Sequence, residues 1–230
     1  MVYICMGGFL MSINLMRNTI AILLVANALH YIEERKALPY FLVCTLALSF
    51  HVSSLFYFPL YLFFHKKLNK WIYLCIFLCG LIFFLSQIKF VSSILSLLLG
   101  FFSERLQFLV TIYTEVHATS KSISIGLLER ILTGVLIFCY YDKLKTIRES
   151  NTLFINSYIV YFFFYFFFWE FEVMSSRLAN LFTFFYWVIW PDLLKCFWYE
   201  NNRRLFVFFL TVYSIFKVIG LSRFITYDYD

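Results

Sequence analysis

The chain has 230 residues, of which 63% are apolar and 14% charged, against about 45–50% and about 25% in ordinary soluble domains. A globule of this size cannot hide so much apolar surface from water, which excludes a soluble enzyme, a disordered tail and a disulfide-stapled secreted domain. Lys and Arg number 19 against 13 Asp and Glu; they come in twos and threes between apolar runs, so the excess reads as a membrane-topology signal and not as a nucleic-acid-binding face.

Composition therefore predicts an all-α, polytopic bundle of about six to eight membrane spans, forming one integral-membrane domain over 1–230. In chain order, a short apolar run covers 2–16 and ends at Arg17, and a second covers 18–32 and is closed by Glu33, Glu34, Arg35 and Lys36. The apolar stretch 38–64 has His51, Ser53 and Ser54 at its middle and ends in His65, Lys66 and Lys67. Further runs at 71–88 and 90–102 precede a polar interval, 103–122, which reads as an amphipathic helix at the outer surface. Spans follow at 123–141, 152–173, 178–198 and 205–221, separated by 142–151, 174–177 and 199–204. Gly and Pro are scarce, so no linker and no second domain are expected. The N-terminus lacks a positive region ahead of its apolar run, so no removable signal peptide is expected.

The stretch 38–64 admits two readings. As one tilted helix it sends Arg35 and Lys36 to one side of the membrane and Lys66, Lys67 and Lys70 to the other. As a re-entrant hairpin with its tip at His51, Val52, Ser53 and Ser54, it puts both clusters on one side, together with Lys143, Lys145, Arg148, Arg203 and Arg204. Positive-inside statistics favour the hairpin and leave Arg17, Arg105, Lys121 and Arg177 on the outer side. A non-helical tip at membrane depth must line a hydrated cavity walled by protein.

Ionisable residues inside apolar runs cost a few kcal/mol, so each is a candidate for function. Arg17 is such a residue, or else an interfacial side chain snorkelling to head groups. His51 is either a satisfied hydrogen-bonding residue or, beside Ser53 and Ser54, part of a site. Glu170 and Glu172, spaced i, i+2, point to different helix faces: one could neutralise Arg177 and the other act as a base, or both are interfacial carboxylates held by it. Arg130, beside Glu129, needs a partner, and its planar fork suits phosphate oxygens or a carboxylate. Tyr113, Tyr158 and Tyr161 could stack on sugar rings. The six cysteines lie in apolar runs, with no CxxC and no metal-ligand spacing. No zinc, Walker or nucleophile-elbow pattern occurs, so no metal or cofactor is expected, and arginines must supply the cations.

Several segments resemble the EpsG family, the Wzy-like bacterial polysaccharide polymerases. The strongest runs from Arg17, Asn18, Thr19, Ile20 and Ala21 through Tyr31, Arg35 and Lys36 to Leu46 through Leu55, including Phe50, His51 and Ser53, and on to the basic loop at 66–70. A second runs from Arg105 and Tyr113 through Ser122 and Gly126 to Lys143 and Leu144, and a third is Ser176 with Arg177. The chain departs from the family where an aromatic pair should follow the late arginine: Arg177 is followed by Leu178, Ala179, Asn180, Leu181 and Phe182. It also begins almost at the segment matching Arg17, and so reads as the C-terminal part of a longer family fold.

The resemblance implies a multi-pass protein of the bacterial cytoplasmic (inner) membrane that extends a capsule, O-antigen or exopolysaccharide chain from undecaprenyl-diphosphate-linked repeat units, working in the bilayer beside other polysaccharide-assembly proteins. Arg17 and Arg177, with Arg105 or Arg130, would bind the diphosphate, and Ser53, Ser54 and Tyr113 would contact substrate. His51 would take the acceptor's proton, with Glu170 or Glu172 as fallback. The competing readings are an O-antigen ligase-like transferase, a transporter or flippase for the same lipid-linked sugar, and a fragment with no activity by itself.

Overall fold

The computed structural model describes residues 16–100, 103–105, 108, 112 and 125–225. Among them every regular element is helical. In chain order these are α1 (Met16–Glu33), α2 (Ala37–Phe50), a 3-10 turn (Val52–Tyr57), α3 (Leu60–Phe63), α4 (Lys70–Leu85), α5 (Phe90–Gly100), α6 (Ile125–Cys139), α7 (Tyr141–Ile147), α8 (Asn151–Phe167), α9 (Glu172–Trp187), α10 (Ile189–Cys196) and α11 (Glu200–Ile225). The apolar run 2–15 and most of the polar interval 103–122, with Tyr113 and Lys121, lie outside the described residues.

Three expected separators are helical instead. The loop 142–151 contains most of α7, the break 174–177 lies inside α9, and 199–204 holds the start of α11. Charge or polarity marked these runs as breaks, but the same residues suit a helix's first turn. Asp142 opens α7 and Glu200 opens α11, each a carboxylate at the positive end of the helix dipole. The expected span 178–198 is broken at Val188, after which α10 begins with Pro191 in its first turn. Among the described residues no helix is long and apolar enough to cross a membrane. The apolar elements α4, α6, α8 and α9 have 16, 15, 17 and 16 residues, a rise of about 22–26 Å each against a hydrocarbon core of about 30 Å.

The described residues gather into two compact units. The first draws on Met1–Lys66, Tyr140–Ile155 and Phe184–Asp230, the second on Lys67–Cys139 and Asn156–Thr183.

In the first unit, α1 buries Asn18, Ile22, Val25, Leu29 and Ile32, a stripe with helical spacing. Arg35 ends the connection in the left-handed region, at φ 57°, and the Lys36 N–H closes back on the Tyr31 carbonyl at 2.8 Å. This is the closure that glycine usually supplies. It turns the chain back so that α2 packs along α1. At His51 the helix stops, the backbone becoming extended at φ −152° and ψ 124°, and the 3-10 turn leads back down. Tyr40 donates to the Tyr57 carbonyl at 2.8 Å, and the Tyr40 and Tyr61 rings lie 5.6 Å apart. At the base, Arg35 donates to His65 Nδ1 at 2.7 Å and sits 4.9 Å over the Tyr61 ring. Residues 37–65 therefore form a hairpin with its tip at His51.

The same unit collects basic residues at the Glu33 end of α1. Burial lifts the Glu33 carboxyl above its ordinary range, while the nearby Arg148 guanidinium pulls it down. Arg148 in turn pairs with buried Asp192 at 2.9 Å, which Lys195 also meets at 2.9 Å. Lys143 donates to the Cys196 carbonyl and Arg203 to that of Phe197. Arg35, Arg148, Lys195 and the 196–203 turn are thus held by specific partners.

The second unit is an aromatic stack. Phe77 lies against Phe162 at 4.7 Å between ring centres, and Phe162 against Phe166 at 4.0 Å. Tyr73 donates to the Gly134 carbonyl at 2.8 Å, fastening α4 to α6. A Cβ on Gly134 would overlap the edge of the Phe77 ring at Cε2. Gly134→Ala is therefore expected to destabilise the protein by about 1–3 kcal/mol, read as a lowered melting temperature. In Gly126→Ala the nearest atom is Nη1 of Arg130, 3.2 Å away, a far smaller overlap, and this variant should melt closer to the parent than Gly134→Ala does.

Burial first, then the charges of Arg35 and Lys66, hold His65 below the ordinary histidine pKa of 6.5. A base whose pKa is lowered by folding contributes stability above its ordinary pKa and loses it as pH falls through the folded value. Acidification should therefore weaken the hairpin base. The measurement is the imidazole titration by NMR: the midpoint should lie below 6.5 and rise in Arg35→Gln, which removes one of the opposing charges.

Candidate functional site

The hairpin fixes which candidates share an end of the first unit. Helix α2 has 14 residues, a rise of about 21 Å. Measured back from Glu33 along the antiparallel α1, that height ends about one turn short of Arg17. The 3-10 turn that follows His51 also packs on α1. Arg17, exposed at the first turn of α1, and the tip residues His51, Ser53 and Ser54 consequently stand at the same end of the unit, opposite the basic end at Glu33.

At the tip, His51 is half-buried and its Nδ1 accepts the Ser53 N–H at 3.3 Å. A neutral imidazole that accepts at Nδ1 carries its proton on Nε2. Taking a proton at Nε2 requires the ring proton to move to Nδ1 and the long Ser53 bond to be given up, a loss of about 1 kcal/mol or less. Ser54 is fully buried, its hydroxyl donating to the Ala47 carbonyl at 3.2 Å, so it fastens the turn. Ser53 is half-buried beside the imidazole.

The remaining described candidates belong to the second unit. Both Glu170 carboxylate oxygens are engaged, accepting the N–H groups of Val91 at 2.7 Å and Ser92 at 2.9 Å. That is a cap on the first turn of α5, reinforced by Trp169, whose indole donates to the Ile88 carbonyl. Glu170 → Ala should cost about 1–2 kcal/mol of stability, measured by thermal unfolding. Glu172 begins α9, and Arg177 is exposed in the second turn of that helix. Arg105 is exposed as well.

Arg130 has found tyrosines. Its Nε donates to the Tyr161 hydroxyl and its Nη1 to that of Tyr165 at 3.1 Å, with the guanidinium 4.1 Å over the Tyr165 ring. Tyr158 donates to the Arg130 carbonyl at 2.6 Å. Tyr158, Tyr161 and Tyr165, at i, i+3 and i+7, line one face of α8. The expectation that Tyr158 and Tyr161 stack on sugar rings is corrected: both are buried, with ring centres 6.1 Å apart, and offer no free face.

One residue of the Arg17 end carried no assigned role in the sequence. Asn18 is 4% exposed, and its Oδ1 has no hydrogen-bond partner among the described residues. An asparagine opening an otherwise apolar helical stripe was the available signal.

Compared with known families, residues 1–228 match the EpsG family, and the chain belongs to it. This is a family of polysaccharide polymerase-like proteins, and membership supports a role in polysaccharide biosynthesis. No curated protein and no solved structure matched.

Proposed function

We propose that this chain is a polymerase of the bacterial cytoplasmic membrane that lengthens a capsule, O-antigen or exopolysaccharide by transferring glycan between undecaprenyl-diphosphate-linked intermediates. The observation that carries this reading is the common end of Arg17 and His51, one cation and one imidazole placed by the hairpin. In the reaction the bond between the anomeric carbon and the diphosphate oxygen breaks, the acceptor oxygen bonds that carbon, and lipid diphosphate departs. Arg17 binds the diphosphate and stabilises the charge that gathers on it. His51 holds the acceptor hydroxyl and takes its proton after releasing the Ser53 N–H. Exposed Arg177 and Arg105 are further cations for phosphate on their own segments. No metal or cofactor is invoked.

Membrane residence is part of the proposal, and the whole chain is read as one integral-membrane domain. It is supported by large apolar side chains that face outward in both units, among them Leu38 at 73%, Leu97 at 64% and Phe216 at 67% exposure, a surface that water disfavours. On α11 the exposed apolar side chains begin at Leu205, just after exposed Trp198, Tyr199, Arg203 and Arg204. That order of aromatic and basic residues suits the interface of a bilayer. Helices shorter than the core are accommodated by local thinning and snorkelling.

In a host lacking its own polymerase, this chain should give a ladder of polymer lengths on a gel. Arg17→Ala should reduce long chains by about 10²–10³-fold while the protein still accumulates in the membrane fraction. His51→Gln keeps a donor but no base and should do the same. Single repeat units should remain in both. Unattached long polymer in their place would mark a ligase, and full-length polymer from Arg17→Ala would defeat the diphosphate role.

A further inference from the structure

We propose that Asn18 is a substrate-binding residue, its carboxamide oxygen accepting a hydrogen bond from a hydroxyl or amide N–H of the lipid-linked sugar. The inference deepens the polymerase reading and rests on it.

Burying a polar atom without a partner is costly, and folded proteins leave few such atoms. Two other buried polar side chains of the first unit are satisfied: Asn151 donates to the Leu144 carbonyl at 2.8 Å, and Ser54 to that of Ala47. Thr152 Oγ1 and Trp190 Nε1 share the lack of a partner, but they stand in the segments that carry the Arg148–Asp192 pair. Asn18 differs in its surroundings. It follows Arg17 directly, shares the stripe of Ile22 and Val25, and lies at the end of the unit that carries the His51 tip.

Its chemistry is also the complement of its neighbour's. Phosphate oxygens are acceptors and would repel the orphaned Asn18 oxygen, though not its amide N–H groups, whereas the Arg17 guanidinium attracts them. A sugar, by contrast, offers hydroxyl donors. Arg17 on the exposed side of α1 and Asn18 about 100° round it on the buried side would therefore meet different parts of one extended ligand, the cation taking the diphosphate and the buried acceptor taking the adjoining ring. A site built to pair with a donor group discriminates strongly against a ligand that lacks it, because the buried acceptor is then left unmatched. Asn18 would thus select among sugars as well as bind them.

The test separates a ligand-facing acceptor from a structural one. Asn18→Leu fills the same space without the orphaned atom, so the purified variant should melt no lower than the parent. Its polymer yield should fall at least about tenfold, the loss of one hydrogen bond to a neutral group. It should also co-purify with less lipid-linked repeat unit, measured by mass spectrometry against lipid-linked diphosphate without sugar, whose retention should not change. Undiminished polymer from Asn18→Leu, or loss of polymer in step with a lowered melting temperature, would overturn the proposal. Arg17→Ala is run alongside. If it retains polymer, the diphosphate reading itself fails. If it loses polymer while Asn18→Leu does not, only the role of Asn18 falls.

Discussion

The hydrogen bond from Tyr40 to the Tyr57 carbonyl joins residues on the two arms of the hairpin, and the arrangement of the first unit follows from it. With 57 beside 40 the chain must reverse between them, which it does where the helix ends at His51, and the base brings Arg35 to His65. The antiparallel pairing of α1 with α2 then carries the tip to the end of α1 where Arg17 stands. Ser54 serves the same geometry, its hydroxyl tying the 3-10 turn back to α2. Arg35 contributes twice: its left-handed backbone closes the turn into α2, and its side chain clamps the return of the chain at Tyr61 and His65.

The polar residues divide by what already occupies them. Glu170 is committed to the N–H groups that open α5, Arg130 to the hydroxyls of α8, and Asp192 to Arg148 and Lys195. Their sequence signature, an ionisable group in an apolar run, is the same as that of Arg17. What distinguishes Arg17, Arg105 and Arg177 is exposure. A charge that the fold uses internally is withdrawn from chemistry on a substrate, and the partner it already holds is what sorts one kind from the other.

Much of the first unit was legible in the residues. Charge asymmetry chose the hairpin over a single tilted helix for 38–64, and the Arg35–His65 contact brings together the basic residues that the choice put on one side. Helix starts were less legible. Asp142 and Glu200 look like loop residues until a helix dipole is placed behind them. The role of Glu170 was out of reach for a different reason, since its partners lie 79 and 78 positions away. No local pattern encodes a cap delivered from another helix. The tyrosines of α8 had the same difficulty: an aromatic at helical spacing looks alike whether it faces a ligand or an arginine. Only the contact between Arg130 and Tyr161 decides it.

The interleaving of the two units orders their completion during synthesis. Every segment of the second unit lies within Lys67–Thr183, whereas the first needs Phe184–Asp230 as well as Met1–Lys66. At a ribosomal pace of about 5–20 residues per second, the earliest helices wait several seconds for α10, whose Asp192 neutralises Arg148. During that interval the hairpin depends on contacts made within its own short stretch, and the guanidinium of Arg148 has no carboxylate from α10 to meet. Chaperones and insertion machinery would therefore meet a nascent chain whose middle portion, within 67–183, is the first to become self-sufficient.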